Sequence, residues 1–263
     1  MKKRLALLLS LLMVFCLVGC SKVGGSANNG SPESIYTAAA EKMSGLNDLD
    51  AAVDMKIAVE QEGISMNLGM NMDMKVQNAN AENMKYYCDA SVSMFGMDVS
   101  MKMFYTDGYY YMDAAGEKVK AALDYKEMLG KTQGTTVQMS DFSDYMKDIK
   151  AKKDGKNTII SFALDGEKMD EYIKEMLGEL GSILEGDEFK GIEGTVETTI
   201  DKDGYFSNVK LVLSFEMEAD EETMKMSMEM DMTYNNPGKA VRDIELPDLD
   251  GYTEVDEEEM NIF

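Results

Sequence analysis

The chemistry open to this chain is limited by the residue types it contains. Its 263 residues include no histidine, so the usual general base and the Ser-His and Cys-His nucleophile systems are missing. The sequence also has no G-x-S-x-G elbow, phosphate-binding loop or paired cysteine ligands. Cys88 falls at an apolar position of a predicted strand, where a buried thiol would be inert. We therefore predict a protein that is not an enzyme and uses no cofactor, although a hydrolase based on two carboxylates stays open.

Two patterns could bind a metal ion, and each has a simpler interpretation. The chain contains 26 methionines, and thioether sulfur binds Cu(I). However, methionines on one strand face would lie about 6.7 Å apart, too far to chelate one ion readily. Asp201-Lys-Asp203-Gly204 is similar to half of an EF-hand loop but lacks its downstream ligands and flanking helices. A hairpin turn explains this segment, so we expect no metal site.

Cys20 carries the clearest chemical signal in the sequence. A basic start at Lys2-Lys3-Arg4 is followed by an apolar run, Leu5–Val18, that is too short to span a bilayer as an ordinary helix. Leu17-Val18-Gly19 then precede Cys20. This order resembles the signal peptide and lipobox of bacterial lipoproteins, and the alternative is an ordinary secretory signal with an incidental cysteine. The resemblance implies that acyl chains such as palmitate on Cys20 anchor the protein to the extracytoplasmic side of the cell membrane.

The chain is strongly acidic, with 49 acidic and 26 basic residues and a net charge of −23. Removal of residues 1–19 would take away three basic and no acidic residues, so the mature charge would be −26. Such a surface is a poor partner for nucleic acid and is repelled overall by anionic headgroups. Because Cys16 lies in the predicted signal and Cys20 is the predicted lipid site, no intramolecular disulfide is expected.

The dominant pattern in the chain is period-two alternation. From Ile64 to Val76 every even position is apolar and every odd position is polar or glycine, which is typical of an antiparallel strand with one dry face. At about 3.3 Å per residue this strand would span about 43 Å. The same pattern predicts strands at Leu49–Val59, Met84–Met94, Met97–Tyr105, Tyr109–Met112, Asn157–Asp165, Ile192–Ile200, Tyr205–Glu218 and Met224–Tyr234.

Helices are predicted at the start and in the middle of the chain. Ser31-Pro32 supplies an N-cap followed by proline at the first helical position, which predicts a helix to about Gly45. Helical spacing also predicts helices at Glu117–Gly130, at Asp141–Lys152 after Ser140 as N-cap, and at Glu167–Leu184, with a loop at Lys131–Met139. Ile244–Pro247 is predicted to be a short edge segment.

The apolar sides of the strands would form one face rich in methionine, a flexible and polarizable residue suited to variable apolar partners. About 98 strand residues present roughly 1,550 Å² of sheet face, whereas about 59 helical residues cover roughly 890 Å². Either the sheet curls or part of this face is left for a ligand or partner, unless methionine is only the filler of an ordinary core. The candidate ligand-binding residues are Met55, Ile57, Met66, Leu68, Met70, Met72, Met84, Tyr86, Met94, Met101, Met103, Leu211, Leu213, Phe215, Met226, Met228 and Met230.

The order of these elements resembles bacterial lipoproteins and carriers of the LolA/LolB and LppX/LprG type. Besides the lipobox, the similarity is carried by Phe104-Tyr-Thr-Asp-Gly-Tyr-Tyr-Tyr-Met112, by Tyr234-Asn-Asn-Pro-Gly and by Ile244-Glu-Leu-Pro247, which are similar to Gram-positive members of the group. The resemblance implies a half-barrel sheet wrapped over helices, with an apolar cavity for acyl chains and no catalytic residues.

We therefore predict an α+β, mainly β protein in which a large curved antiparallel sheet, or half-barrel, carries a few helices on its concave face. Residues 1–19 would be a cleaved signal peptide, 20–31 the lipidated cysteine and a flexible tether, 32–250 one domain, and 251–263 an acidic tail. The expected function is binding of a lipid or other hydrophobic molecule against the methionine-rich face. The alternative is an adaptor lipoprotein that docks another cell-envelope protein.

Overall fold

The computed structural model describes residues 30–94, 96–124, 141–169, 188–219, 222–242 and 244–256. The predicted signal peptide, Cys20 and the predicted tether up to residue 29 lie outside these residues, as do the end of the predicted acidic tail and the predicted loop at Lys131–Met139. No helix in the described part of the chain is long and apolar enough to cross a bilayer.

Twelve strands form one sheet, which confirms the mainly β fold class. They are β1 (Leu49–Gln61), β2 (Ile64–Gln77), β3 (Lys85–Met94), β4 (Met97–Thr106), β5 (Tyr109–Ala114), β6 (Glu117–Ala122), β7 (Met146–Asp154), β8 (Asn157–Leu164), β9 (Glu188–Ile200), β10 (Phe206–Ala219), β11 (Glu222–Tyr234) and β12 (Thr253–Glu254). Their spatial order is β12-β6-β5-β4-β3-β2-β1-β11-β10-β9-β8-β7, so the sheet is not closed and β12 and β7 are its edges. The pairing is antiparallel except between β12 and β6, which makes the sheet mixed.

Tight turns hold the strand register. Glu62 and Gly63 connect β1 to β2 with φ of 52° and 77°, and Asp107 and Gly108 connect β4 to β5 with φ of 52° and 80°. Two successive positive φ values are typical of the two-residue hairpin turn whose twist matches that of the strands. In this register every apolar position of β2 lies opposite an apolar position of β1 or β3, apart from Ile64 at the first turn.

One α-helix, α1 (Pro32–Ser44), begins where the sequence predicts it. The Ser31 hydroxyl accepts a hydrogen bond from the Ser34 amide at 3.2 Å, and Pro32 occupies the first turn. The helix packs on the apolar side of the sheet, where the Tyr36 ring contacts the rings of Phe162 and Phe206 at centroid distances of 5.3 and 5.2 Å. A 3-10 helix, Asp141–Tyr145, directly precedes β7.

The predicted helix Glu117–Gly130 is wrong over its described residues, and the predicted helix Asp141–Lys152 is wrong from residue 146 onward, after the 3-10 helix. Residues 117–122 form β6 against β5, and residues 146–154 form β7 against β8. The first segment is rich in lysine, glutamate and alanine and the second in lysine, all of which favour helices, so pairing with a neighbouring strand overrides local preference. Of the predicted helix Glu167–Leu184, the described part ends at residue 169 and is helical.

The C-terminal segment also differs from the prediction. Residues 244–249 form no strand, and the Ile244 amide instead donates to the Gln77 side-chain oxygen at 3.3 Å. The chain meets the sheet further on, where Thr253–Glu254 pairs with β6 inside the predicted acidic tail. There Tyr252 packs edge-on against the Phe104 and Tyr111 rings, at 5.6 and 5.2 Å. The Gln77 side-chain amide also donates to the Val241 carbonyl at 3.0 Å, so a side chain and not a neighbouring strand binds the backbone around Ile244.

Candidate functional site

The strand register gathers the methionines on one side of the sheet, which we call the Met-rich face. Met55 on β1 lies directly opposite Met70 on β2 and Met230 on β11. Residues directly opposite in an antiparallel pair share a face, and their Cβ atoms lie about 4.5–5.5 Å apart. Leu211 on β10 lies opposite Met230 and extends this row of directly opposed residues. The row contains no charged residue, so the apolar face is continuous from β2 to β10.

All the candidate ligand-binding residues of the described strands belong to this face. The pairings place Ile57 beside Leu68 and Met228, and Met103 beside Cys88 and Met112. The remaining candidates in register on it are Met66, Met72, Tyr86, Met94, Met101, Leu213, Phe215 and Met226. Met84 precedes β3 and is buried in the same core. Whether these residues contact a ligand stays a prediction.

Burial varies along the Met-rich face. Its centre is closed to solvent, with Met55 only 1% exposed, and it joins α1 in one continuous core cluster. At the end of β2–β4 that carries the turns after Gln61 and Met94, the face opens. There Ile64 is 68%, Met97 62% and Val99 48% exposed. We call this end the apolar margin; it also includes the partly buried Met66, Leu68 and Met94.

The only described cysteine thiol sits in the same core. Cys88 is fully buried, and burial raises the pKa of its thiol to about 12. A thiol with that pKa has almost no thiolate at neutral pH and cannot serve as a nucleophile. Its sulfur therefore acts as a small apolar side chain between Met74 and Met103.

The opposite side of the sheet carries two grooves that the sequence did not predict. The larger, of about 740 Å³, is lined by residues such as Asp54, Lys56 and Asp231, and the smaller, of about 440 Å³, adjoins it at Lys56. Oppositely charged residues pair within the larger one, with the Lys210 ammonium 3.5 Å from Asp231. Alternation identifies these positions as polar, but groove shape depends on sheet twist, which no local pattern encodes.

The Asp201 turn uses its carboxylate within the turn itself. Asp201 Oδ1 accepts hydrogen bonds from the amides of Asp203 and Tyr205, at 2.8 and 2.9 Å. An aspartate that bonds to following amides stabilises a turn without any metal. Within the described residues, no cluster of three acidic or cysteine side chains is placed to hold a metal ion.

Two solved structures resemble this fold at a distance. The crystal structure of LprF from Mycobacterium bovis matches with a TM-score of 0.45 and 14% identity, over 83% of this chain and 97% of that chain. A domain described as belonging to an outer membrane lipoprotein-sorting protein of Vibrio parahaemolyticus matches with a TM-score of 0.20 and 8% identity, over 72% and 87%. This resemblance is to LprF and to a lipoprotein-sorting domain, and it is distant. At these TM-scores it supports no argument about what the chain binds.

No protein of curated function matches this sequence. A family model does match it, over residues 31–249, which include α1 and eleven of the strands described above. The chain therefore belongs to DUF6612, a family of unknown function.

Proposed function

We propose that this chain is a membrane-anchored extracytoplasmic lipoprotein that binds a lipid or other hydrophobic molecule along its Met-rich face. The observation that carries the proposal is the apolar margin. Ile64, Met97 and Val99 leave an apolar surface in water, and they continue through the partly buried Met94 of β3 into the buried methionines of β2.

A continuous face of this kind suits a flexible apolar ligand. Methionine is unbranched, so side chains such as Met66, Met94 and Met97 can change rotamer without the χ1 restriction of valine or isoleucine. An acyl chain that enters at the margin would exchange water for thioether and methylene contacts, worth about 0.8 kcal/mol per buried methylene. Flexible side chains would also close over the surface again when the ligand leaves.

The same margin would also suit a protein partner, as the adaptor alternative requires. Exposed apolar patches mark protein interfaces as well as ligand sites. A binding experiment on the isolated protein distinguishes the two functions. A lipid-binding protein would bind an apolar probe without any partner, whereas an adaptor would not.

Val99 and Val212 provide a matched pair of variants. Both side chains are 48% exposed, but Val99 lies on the Met-rich face and Val212 lines the larger polar groove on the other side. Aspartate at position 99 would place a charge at the margin, where its desolvation opposes entry of an acyl chain. We expect Val99→Asp to weaken binding of a fluorescent fatty acid at least about tenfold, the effect of roughly 1.4 kcal/mol, and Val212→Asp to leave it unchanged.

The titration needs a check on folding, since either variant could alter the sheet. Circular dichroism and the urea midpoint of both variants should match those of the parent protein. Equal binding by the two variants would contradict entry at the margin. No binding of the probe by the parent protein, together with a protein trapped by cross-linking in cells, would favour the adaptor function.

A further inference from the structure

The structure points to the β7 edge as a surface that contacts an anionic lipid bilayer, and this proposal rests on the membrane anchor proposed above. Five of the chain's 26 basic residues fall within ten positions, at Lys147, Lys150, Lys152, Lys153 and Lys156. The same ten positions hold two acidic residues, Asp148 and Asp154. In a chain with a net charge of −23, this segment is locally basic.

The lysines of this segment are exposed on an edge strand. Among the strands that the structure describes, β7 pairs only with β8, and all four of its lysines are exposed. The neighbouring strand β8 contains no charged residue, so it offers no carboxylate to neutralise them.

Two of these lysines bind other side chains of the protein, and the remaining three form no ion pair within the described residues. Lys147 forms an ion pair with Asp165 at 2.8 Å, and the Lys153 ammonium donates to the Thr158 hydroxyl at 2.7 Å. Lys150, Lys152 and Lys156 have no ion pair among the described residues. We call these three the basic edge. Lys150 and Lys152 lie opposite Ser161 and Ile159, on the polar side of the sheet.

The tether leaves the domain on the β7 side of the sheet. α1 packs against β7 and against the 3-10 helix before it, and α1 begins directly after Ser31. Only ten residues lie between Cys20 and Ser31, which are thus eleven Cα–Cα steps apart. A Gly/Ser-rich chain of that length has a root-mean-square span of about 18 Å, so an anchor on Cys20 would hold the β7 side of the sheet within reach of the bilayer.

Charge complementarity identifies the occupant as anionic headgroups. The whole chain is repelled by such a surface, but charges further than about 8 Å from it are screened at physiological salt. The lysines nearest the bilayer therefore decide its orientation, and each adds about 1 kcal/mol of attraction. A lysine-rich edge strand also resists pairing with other chains, and that role alone would not require a membrane.

Lysine reactivity measured on the lipidated protein separates these roles. The protein is reconstituted in vesicles of phosphatidylcholine alone or with about a third phosphatidylglycerol, and acetylation of each lysine is quantified by mass spectrometry. We expect reactivity at Lys150, Lys152 and Lys156 to fall roughly fivefold in the anionic vesicles. It should recover in about 0.5 M salt, because the attraction is screened. Lys56 and Lys225, which are exposed on central strands, should not change.

Each other outcome has a defined meaning. Failure of the protein to float with vesicles, with no lipid mass on the mature chain, would contradict the anchor itself. Equal reactivity of the basic edge in both kinds of vesicle, in protein that does float, would overturn the docking proposal only. In that case the variant K150Q/K152Q/K156Q should aggregate, as expected if these lysines only protect the sheet edge.

Discussion

At the scale of single residues, methionine occupies two different environments, the buried core and the exposed apolar margin. Met55 is buried at the centre of the sheet, whereas Met97 on the same face is 62% exposed. Alternation in the sequence was enough to place both on one face. Their different exposure could not be predicted, because it depends on which elements cover each end of the sheet.

Cys88 gives a prediction at this scale through its pKa. Burial raises the pKa of the thiol from 9.0 to about 12, and the phenol pKa of the buried Tyr110 and Tyr234 is also raised. The folded protein therefore holds protons that the unfolded chain has lost, so stability is full below pH 9 and falls as the pH rises above it. At pH 10 the thiol should account for about 1 kcal/mol of that loss.

Urea unfolding at pH 8 and pH 10 tests whether the Cys88 thiol causes part of this loss of stability. From pH 8 to pH 10 the free energy of unfolding should fall further in the parent protein than in Cys88→Ala, since the variant lacks the thiol and keeps both tyrosines. An identical loss in the two proteins would mean that the Cys88 thiol does not stay protonated in the fold.

At the scale of elements, the sequence predicted the strands well and the middle of the chain poorly. β1, β2 and β11 alternate over more than ten residues, a pattern that only a one-sided strand explains. β6 and β7 are short, rich in helix-favouring residues, and become strands because β5 and β8 offer partners. Such long-range pairing leaves no local signal, and for the same reason β12 could not be found inside the acidic tail.

The contact of Tyr252 with the sheet gives a prediction for this C-terminal element. Its ring packs against Phe104 and Tyr111, which are themselves stacked at 4.7 Å. Each edge-on aromatic pair contributes about 0.5–1.5 kcal/mol beyond its buried area. We expect Tyr252→Ala to lower the free energy of unfolding by about 1–3 kcal/mol and Tyr252→Phe to leave it nearly unchanged.

Thermal and urea denaturation of the two variants measures that difference. If both behave like the parent protein, the residues around β12 do not hold the C-terminal segment on the sheet. If both are equally destabilised, the phenol oxygen rather than the ring would be the important group.

At the scale of the whole molecule, one open sheet separates two surfaces of opposite character. The Met-rich face is buried at its centre and opens at the apolar margin, whereas the polar face is grooved and lined with paired charges. The apolar margin lies on β2–β4, and the basic edge lies on β7 at one side of the sheet. Each surface carries its own proposal, the first for binding of an apolar molecule and the second for contact with a bilayer.

Native mass spectrometry of the protein extracted from its own membranes tests the binding of a hydrophobic molecule most directly. We predict a species heavier than the acylated chain by the mass of one lipid, which dissociates on activation and is depleted in Val99→Asp but retained in Val212→Asp. A spectrum with only the acylated chain, from protein that was never exposed to a competing detergent, would contradict the proposed function.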